Sequence, residues 1–78
     1  MSQDDPMLEA ARLEREIAGL AQEQALCQSR IRQLMEQEAA GQSGLAAAIH
    51  QAKQRRMMLA TQAQHLKARL NALLMGGT

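Results

Sequence analysis

Few side chains in this sequence are suited to covalent or metal chemistry, and their spacing keeps them apart. Cys27 is the only cysteine, and His50 and His65 are the only histidines. A nucleophilic role for Cys27 would require an exposed thiolate. Arg56 is placed to favour one, but neither histidine falls beside the pair. His50 and His65 are fifteen residues apart, roughly 22 Å along a helix, so they do not share a metal ion within one chain. There is no Cys/His ligand spacing, no Gly-rich phosphate loop and no nucleophile set beside a base. The expectation is a protein with no catalytic residues, no metal, no cofactor and no small-molecule substrate, whose histidines lie on solvated helix surfaces.

The charged residues offer a second chemistry. Residues 1–44 hold all eight acidic side chains and four of the nine basic ones, giving −4; residues 45–78 hold the other five bases and no acid, giving +5. Lys53, Arg55, Arg56, Lys67 and Arg69 could present a basic stripe to RNA or DNA. The chain has no Phe, Tyr or Trp, which removes the stacking platforms of single-strand binders. The same asymmetry also suits pairing of an acidic segment with a basic one. Glu14 is expected to meet Lys67, and Glu16 to meet Arg69, each such exposed pair contributing tenths of a kcal/mol.

The elements that must position these groups follow from one numerical relation. Apolar positions recur in steps of three and four, the pattern of a coiled-coil seam. Glu38 and Leu45, Leu34 and Ile49, Ile31 and Ala52, Cys27 and Arg56, Gln24 and Leu59, Leu20 and Ala63, Ile17 and Leu66, Leu13 and Leu70, and Ala10 and Leu73 all have numbers that sum to 83. A constant sum is what two antiparallel helices with matched heptads must show when one chain folds back on itself. The fold class is therefore all-α: an antiparallel two-helix coiled-coil hairpin spanning residues 1–78 as one unit. Helix one is predicted at about 6–40, the turn at about 41–44 and helix two at about 45–75. Residues 1–4 are expected to fray. Asp5 suits an N-cap and Pro6 the first helical position. Gly41 suits the left-handed residue that ends a helix, Ser43 a cap for the second, and Gly76 and Gly77 its stop.

Two helices without aromatics bury only one seam, so a hairpin of this size gains stability from a partner or from dimerisation into a larger bundle. Gln24, Cys27 and Arg56 interrupt the seam in adjacent layers. A polar layer of this kind lowers stability but fixes register, and Arg56 is expected to extend its guanidinium outward toward Glu23.

The heptads also sort the outer residues into two flanks. One carries Met7, Ala11, Ala18, Ala21, Ala25 and Met35 from helix one, and Ala46, Met57, Ala60 and Leu74 from helix two. The other carries Glu9, Arg12, Glu16, Glu23, Arg30, Arg55, Gln62 and Arg69, with Leu26 and Met58 as isolated apolar members. Alanine lets another helix approach closely and methionine adapts to irregular surfaces. The partner-binding residues are accordingly predicted to be Met7, Ala11, Ala18, Ala21, Ala25, Met35, Met57, Ala60 and Leu74.

The longest apolar run, Leu45 to Ile49, is far short of a membrane span. The acidic, polar start does not read as a signal peptide, and one cysteine fits a reducing compartment. A cytoplasmic location is expected, with no membrane partner.

In length, heptads and the Gly41-Gln42-Ser43-Gly44 turn, with an acidic first helix and a basic second, the chain resembles the small two-helix co-chaperones of type III secretion needle subunits. It is also similar to the plasmid RNA-modulator hairpins that dimerise into four-helix bundles. The first resemblance implies an adaptor that binds a helical-repeat chaperone and helps to keep a needle subunit unpolymerised in the cytosol. The second implies a homodimeric RNA- or DNA-binding regulator. A phage- or plasmid-encoded inhibitory or assembly subunit would use the same flank. The favoured expectation is a non-enzymatic protein–protein interaction module whose partner is a helical protein or a second copy, with nucleic acid the alternative.

Overall fold

Asp5 turns the chain into its first helix. Its backbone is extended (φ −62°, ψ 116°), and its carboxylate accepts a hydrogen bond from the Met7 amide at 2.9 Å. Pro6 follows at the helix start, where a missing N–H breaks no helical bond. The computed structural model describes residues 5–76; the fraying expected of residues 1–4 and the stop assigned to Gly77 lie outside them. Helix α1 runs Pro6–Ala39, 34 residues without a break.

The helix ends one residue before the sequence-based boundary, with Ala40 as its C-cap. The Gly41 amide donates to the Glu38 carbonyl at 3.0 Å and the Gln42 amide to the Gln37 carbonyl at 3.1 Å. These two bonds form a Schellman motif, which needs a left-handed residue at Gly41. Gly41 supplies it, with φ +104°.

Helix α2 runs Ala46–Leu74, 29 residues. Its N-cap is Leu45, which makes no side-chain capping bond, so the cap expected of Ser43 is not formed. Gly44, at φ +80°, separates Ser43 from the helix start, and Ser43 lies two residues before the N-cap position held by Leu45. Leu45 instead sits half-buried at the end of the seam, so apolar anchoring locates this helix start. At the far end the Gly76 amide donates to the Leu73 carbonyl at 3.2 Å, and Gly76 takes φ +91°. That is the stop expected there.

The two helices pack antiparallel into a rod 59 × 19 × 15 Å. The seam is where the sum of 83 places it. Ala10, Leu13, Ile31, Leu34, Ile49, Leu59 and Ala63 are buried. Ile17, Leu20, Gln24, Cys27, Leu45, Ala52, Arg56, Leu66, Leu70 and Leu73 are half-buried. Glu38 is the exception: it is exposed, because α1 ends beside it and α2 has not yet begun opposite. Each fully covered leucine or isoleucine contributes roughly 1.5–3 kcal/mol before ordering costs. Most other seam residues are only partly covered, the expected result for a core bounded by one helix on each side. Among the described residues no helix is long and apolar enough to cross a membrane.

Candidate protein-docking face

The ion pairs identify which side of the rod is which. Arg55 Nη2 lies 3.9 Å from Glu23 Oε1, and Arg69 Nη2 lies 3.0 Å from Glu9 Oε2. In each pair the residue numbers sum to 78, so the two crossings have the same offset along the rod. All four residues belong to the polar flank. Glu9 is also in an ion pair with Arg12, one turn along the same helix, at 3.6 Å. The expected Glu16–Arg69 pair is therefore replaced by Glu9–Arg69, one heptad nearer the open end. Exposed alternatives of this kind differ by tenths of a kcal/mol, below what spacing alone resolves.

The polar flank is not flat. Gly19 has open space where a Cβ would stand, and the missing side chain opens a shallow groove. Leu20 and Leu66 form its apolar floor; Glu16, Glu23, Gln62 and His65 form its walls. Sequence reasoning passed over this groove. The signal was Gly19, the only glycine within either helix, in a residue pattern that otherwise favours helix formers. Leu26 and Met58, also on this side, are exposed.

Gln24, Cys27 and Arg56 occupy the seam as predicted, and all three are half-buried. Arg56 does not turn toward Glu23. Its Nη1 donates to Oε1 of Gln28 on α1, while Glu23 faces Arg55. The guanidinium thus leaves the seam on the opposite side, and among the described residues no buried side-chain polar atom lacks a partner. Cys27 lines a surface depression with Glu23, Leu26, Arg30 and Arg55. Neither histidine is among those neighbours. Among the described residues no cluster of three or more His, Cys, Asp or Glu side chains is arranged to hold a metal ion.

The opposite flank is the Ala/Met face. Met7, Met35, Met57 and Leu74 are exposed there, Met57 at 68%. Ala18, Ala21, Ala25, Ala46 and Ala60 lie exposed between them, while Ala11 is half-buried. Met57 and Ala60 stand near mid-rod, level with Ala25 and Ala21. Met7 and Leu74 mark the open end, and Met35 and Ala46 the turn end. The charges on this face are Glu14, Lys53 and Lys67, with Arg32 one heptad beyond Ala25 and the Arg56 guanidinium emerging beside Gln28. Among the described residues none of the five is in an ion pair, so the expected Glu14–Lys67 pair within the hairpin does not form. The two flanks thus differ in kind: one satisfies several of its charges across the hairpin, the other presents exposed apolar side chains and unpaired ions. Compared with models of known families, with curated proteins and with solved structures, the chain matches none.

Proposed function

We propose that this chain is a non-enzymatic protein–protein interaction module, a small adaptor or co-chaperone that docks a helical partner along the Ala/Met face. The observation that carries this reading is the set of large exposed apolar side chains on one flank, Met7, Met35, Met57 and Leu74, with exposed alanines interspersed among them. A helix laid along such a face approaches closely at the alanines and is gripped by the methionines. The role is that of the type III secretion co-chaperones the hairpin resembles, which shield an assembly-prone helical subunit. A cytoplasmic setting suits it, since a lone thiol needs no oxidising compartment.

Affinity capture with three forms of the chain tests the proposal. The wild type and Arg55→Glu should retain the same protein, and Met57→Glu should lose it. Burying Met57 is worth roughly 1.5–3 kcal/mol, and a carboxylate there would be desolvated without a partner. Loss of binding in Arg55→Glu, with nucleic acid in the retained fraction, would assign the basic residues of α2 to RNA or DNA instead.

A further inference from the structure

Resting on the docking face proposed above, we infer that its partner is an amphipathic helix of a second protein with one acidic edge, laid in the channel between α1 and α2 with that edge over α2. The distribution of charge on the face carries the inference. Four cations, Arg32, Lys53, Arg56 and Lys67, stand there against one carboxylate, Glu14, a balance of +3. None of the five is in an ion pair among the described residues. The carboxylates nearest to them in sequence lie elsewhere. Glu36 falls on the outermost row of α1, and Glu38 is exposed past the last packed layer. Helix α2 holds no acidic residue at all.

A third helix in this channel lies between two heptad rows. The charged members of the α2 row are Lys53 and Lys67; the one charged member of the α1 row is Glu14. Both lysines are exposed, and their stems can lie along apolar surface while the ammonium groups reach the edge of the partner. They are fourteen residues apart, two heptads, so carboxylates at heptad spacing along one edge of the partner meet both. Arg56 adds a stronger demand. Its guanidinium passes from the seam on α2 to the Gln28 side chain on α1, across the floor of the channel. A helix that covers it must bring an acceptor or bury a charge without compensation. The apolar stripe of the partner then covers Ala21 and Ala60, with Met57 beside them.

Other occupants meet these groups less well. A second copy would set one face of +3 against another, and like charges brought together suppress an interface. A nucleic acid would match the cations, but it would leave the exposed Met35 and Met57 without apolar cover, and the chain has no aromatic side chain on which a base could stack.

The test uses two labelled peptides of about 21 residues, roughly 30 Å of helix, with the same Leu/Ala stripe. One carries Glu along its edge and the other Lys at the same positions. An RNA duplex of about 16 base pairs is the third probe. Binding to the full chain is read by fluorescence anisotropy at about 0.15 M ionic strength. The Glu peptide should bind at least about tenfold more tightly than the Lys peptide or the RNA. Lys53→Glu combined with Lys67→Glu, checked for helicity, should reverse the preference between the peptides. Met57→Gln, which removes apolar area without changing charge, should weaken the Glu peptide several-fold. Equal binding of both peptides, weakened by Met57→Gln, would overturn the acidic edge and leave the docking face in place. Binding of neither peptide would overturn the acidic helix and leave the face to the capture experiment. Tighter binding of RNA than of either peptide would overturn the inference and assign the cations to phosphate. A Glu-peptide affinity indifferent to all three substitutions would overturn both this inference and the face it rests on.

Discussion

Arg56 leaves the seam away from Glu23, and its Nη1 donates to Oε1 of Gln28 on the facing helix. A cation therefore interrupts the apolar seam at mid-rod, held by an exposed neutral acceptor rather than by a carboxylate. Such a bond recovers little of what an apolar side chain would contribute in the same layer.

Arg56→Leu is accordingly expected to stabilise the hairpin by about 1 kcal/mol, given partial burial. For a chain of this size that raises the melting temperature by roughly 4–8 °C. Thermal unfolding by circular dichroism measures it. The variant should also lose register specificity, because a seam with one polar position fewer tolerates a heptad slip more readily. A clear drop in melting temperature would show that the Gln28 bond is required for the fold.

Gly19 and Gly41 should respond oppositely to alanine. Gly19 lies within α1 with open space around an added Cβ, so Gly19→Ala should stabilise by about 0.5–1 kcal/mol. Gly41 holds φ +104° in the Schellman turn, so Gly41→Ala should destabilise by about 1 kcal/mol or more. Denaturant midpoints of the two variants would read both. Destabilisation by Gly19→Ala would mean that the groove it opens is closed by close packing in the folded state.

The sequence carried the fold because a seam's period and a turn's glycine are local facts with global consequences. Steps of three and four can only form a stripe on a helix, and a constant sum can only pair two such stripes in reverse. Asp5, Pro6 and Gly41 each act within a residue or two of themselves, and each does what its chemistry requires. Ser43 failed as a cap because the backbone of Gly44 intervenes, a matter of dihedral angle rather than of residue type. The choice of Glu9 over Glu16 by Arg69 turns on energies of a few tenths of a kcal/mol, which no spacing rule ranks. The groove at Gly19 was missed because a gap is made by the walls around it, Glu16 and Glu23 on one helix and Gln62 and His65 on the other.

The register itself is open to a covalent test. Cysteines at Leu13 and Leu70, with Cys27→Ser, should form a disulfide within one chain under mild oxidation, seen as a monomer of altered mobility. Leu13 is buried and Leu70 half-buried, as facing residues of a seam should be. Crosslinks formed only between chains would indicate a domain swap or a continuous helix in place of the hairpin.

Asp5→Ala should cost roughly 0.5–2 kcal/mol, the usual value of an N-cap whose side chain accepts a helical amide. The loss should appear first as exchange of the Met7 amide, whose 2.9 Å bond to the Asp5 carboxylate it removes. Unchanged exchange at Met7 would mean that Pro6 alone holds the helix start.

The docking face is tested most directly through its methionines. Met7, Met35 and Met57 lie on it; Met58 and Met75, exposed to a similar degree, do not. Carbon-13 methyl spectra of the chain in a soluble paramagnetic agent report how far each methyl is open to solvent. With the face occupied by a captured partner, the Met7, Met35 and Met57 methyls should become protected while Met58 and Met75 stay as accessible as before. Protection of Met58 with Met57 left open would place the interface on the polar flank and contradict docking along the Ala/Met face.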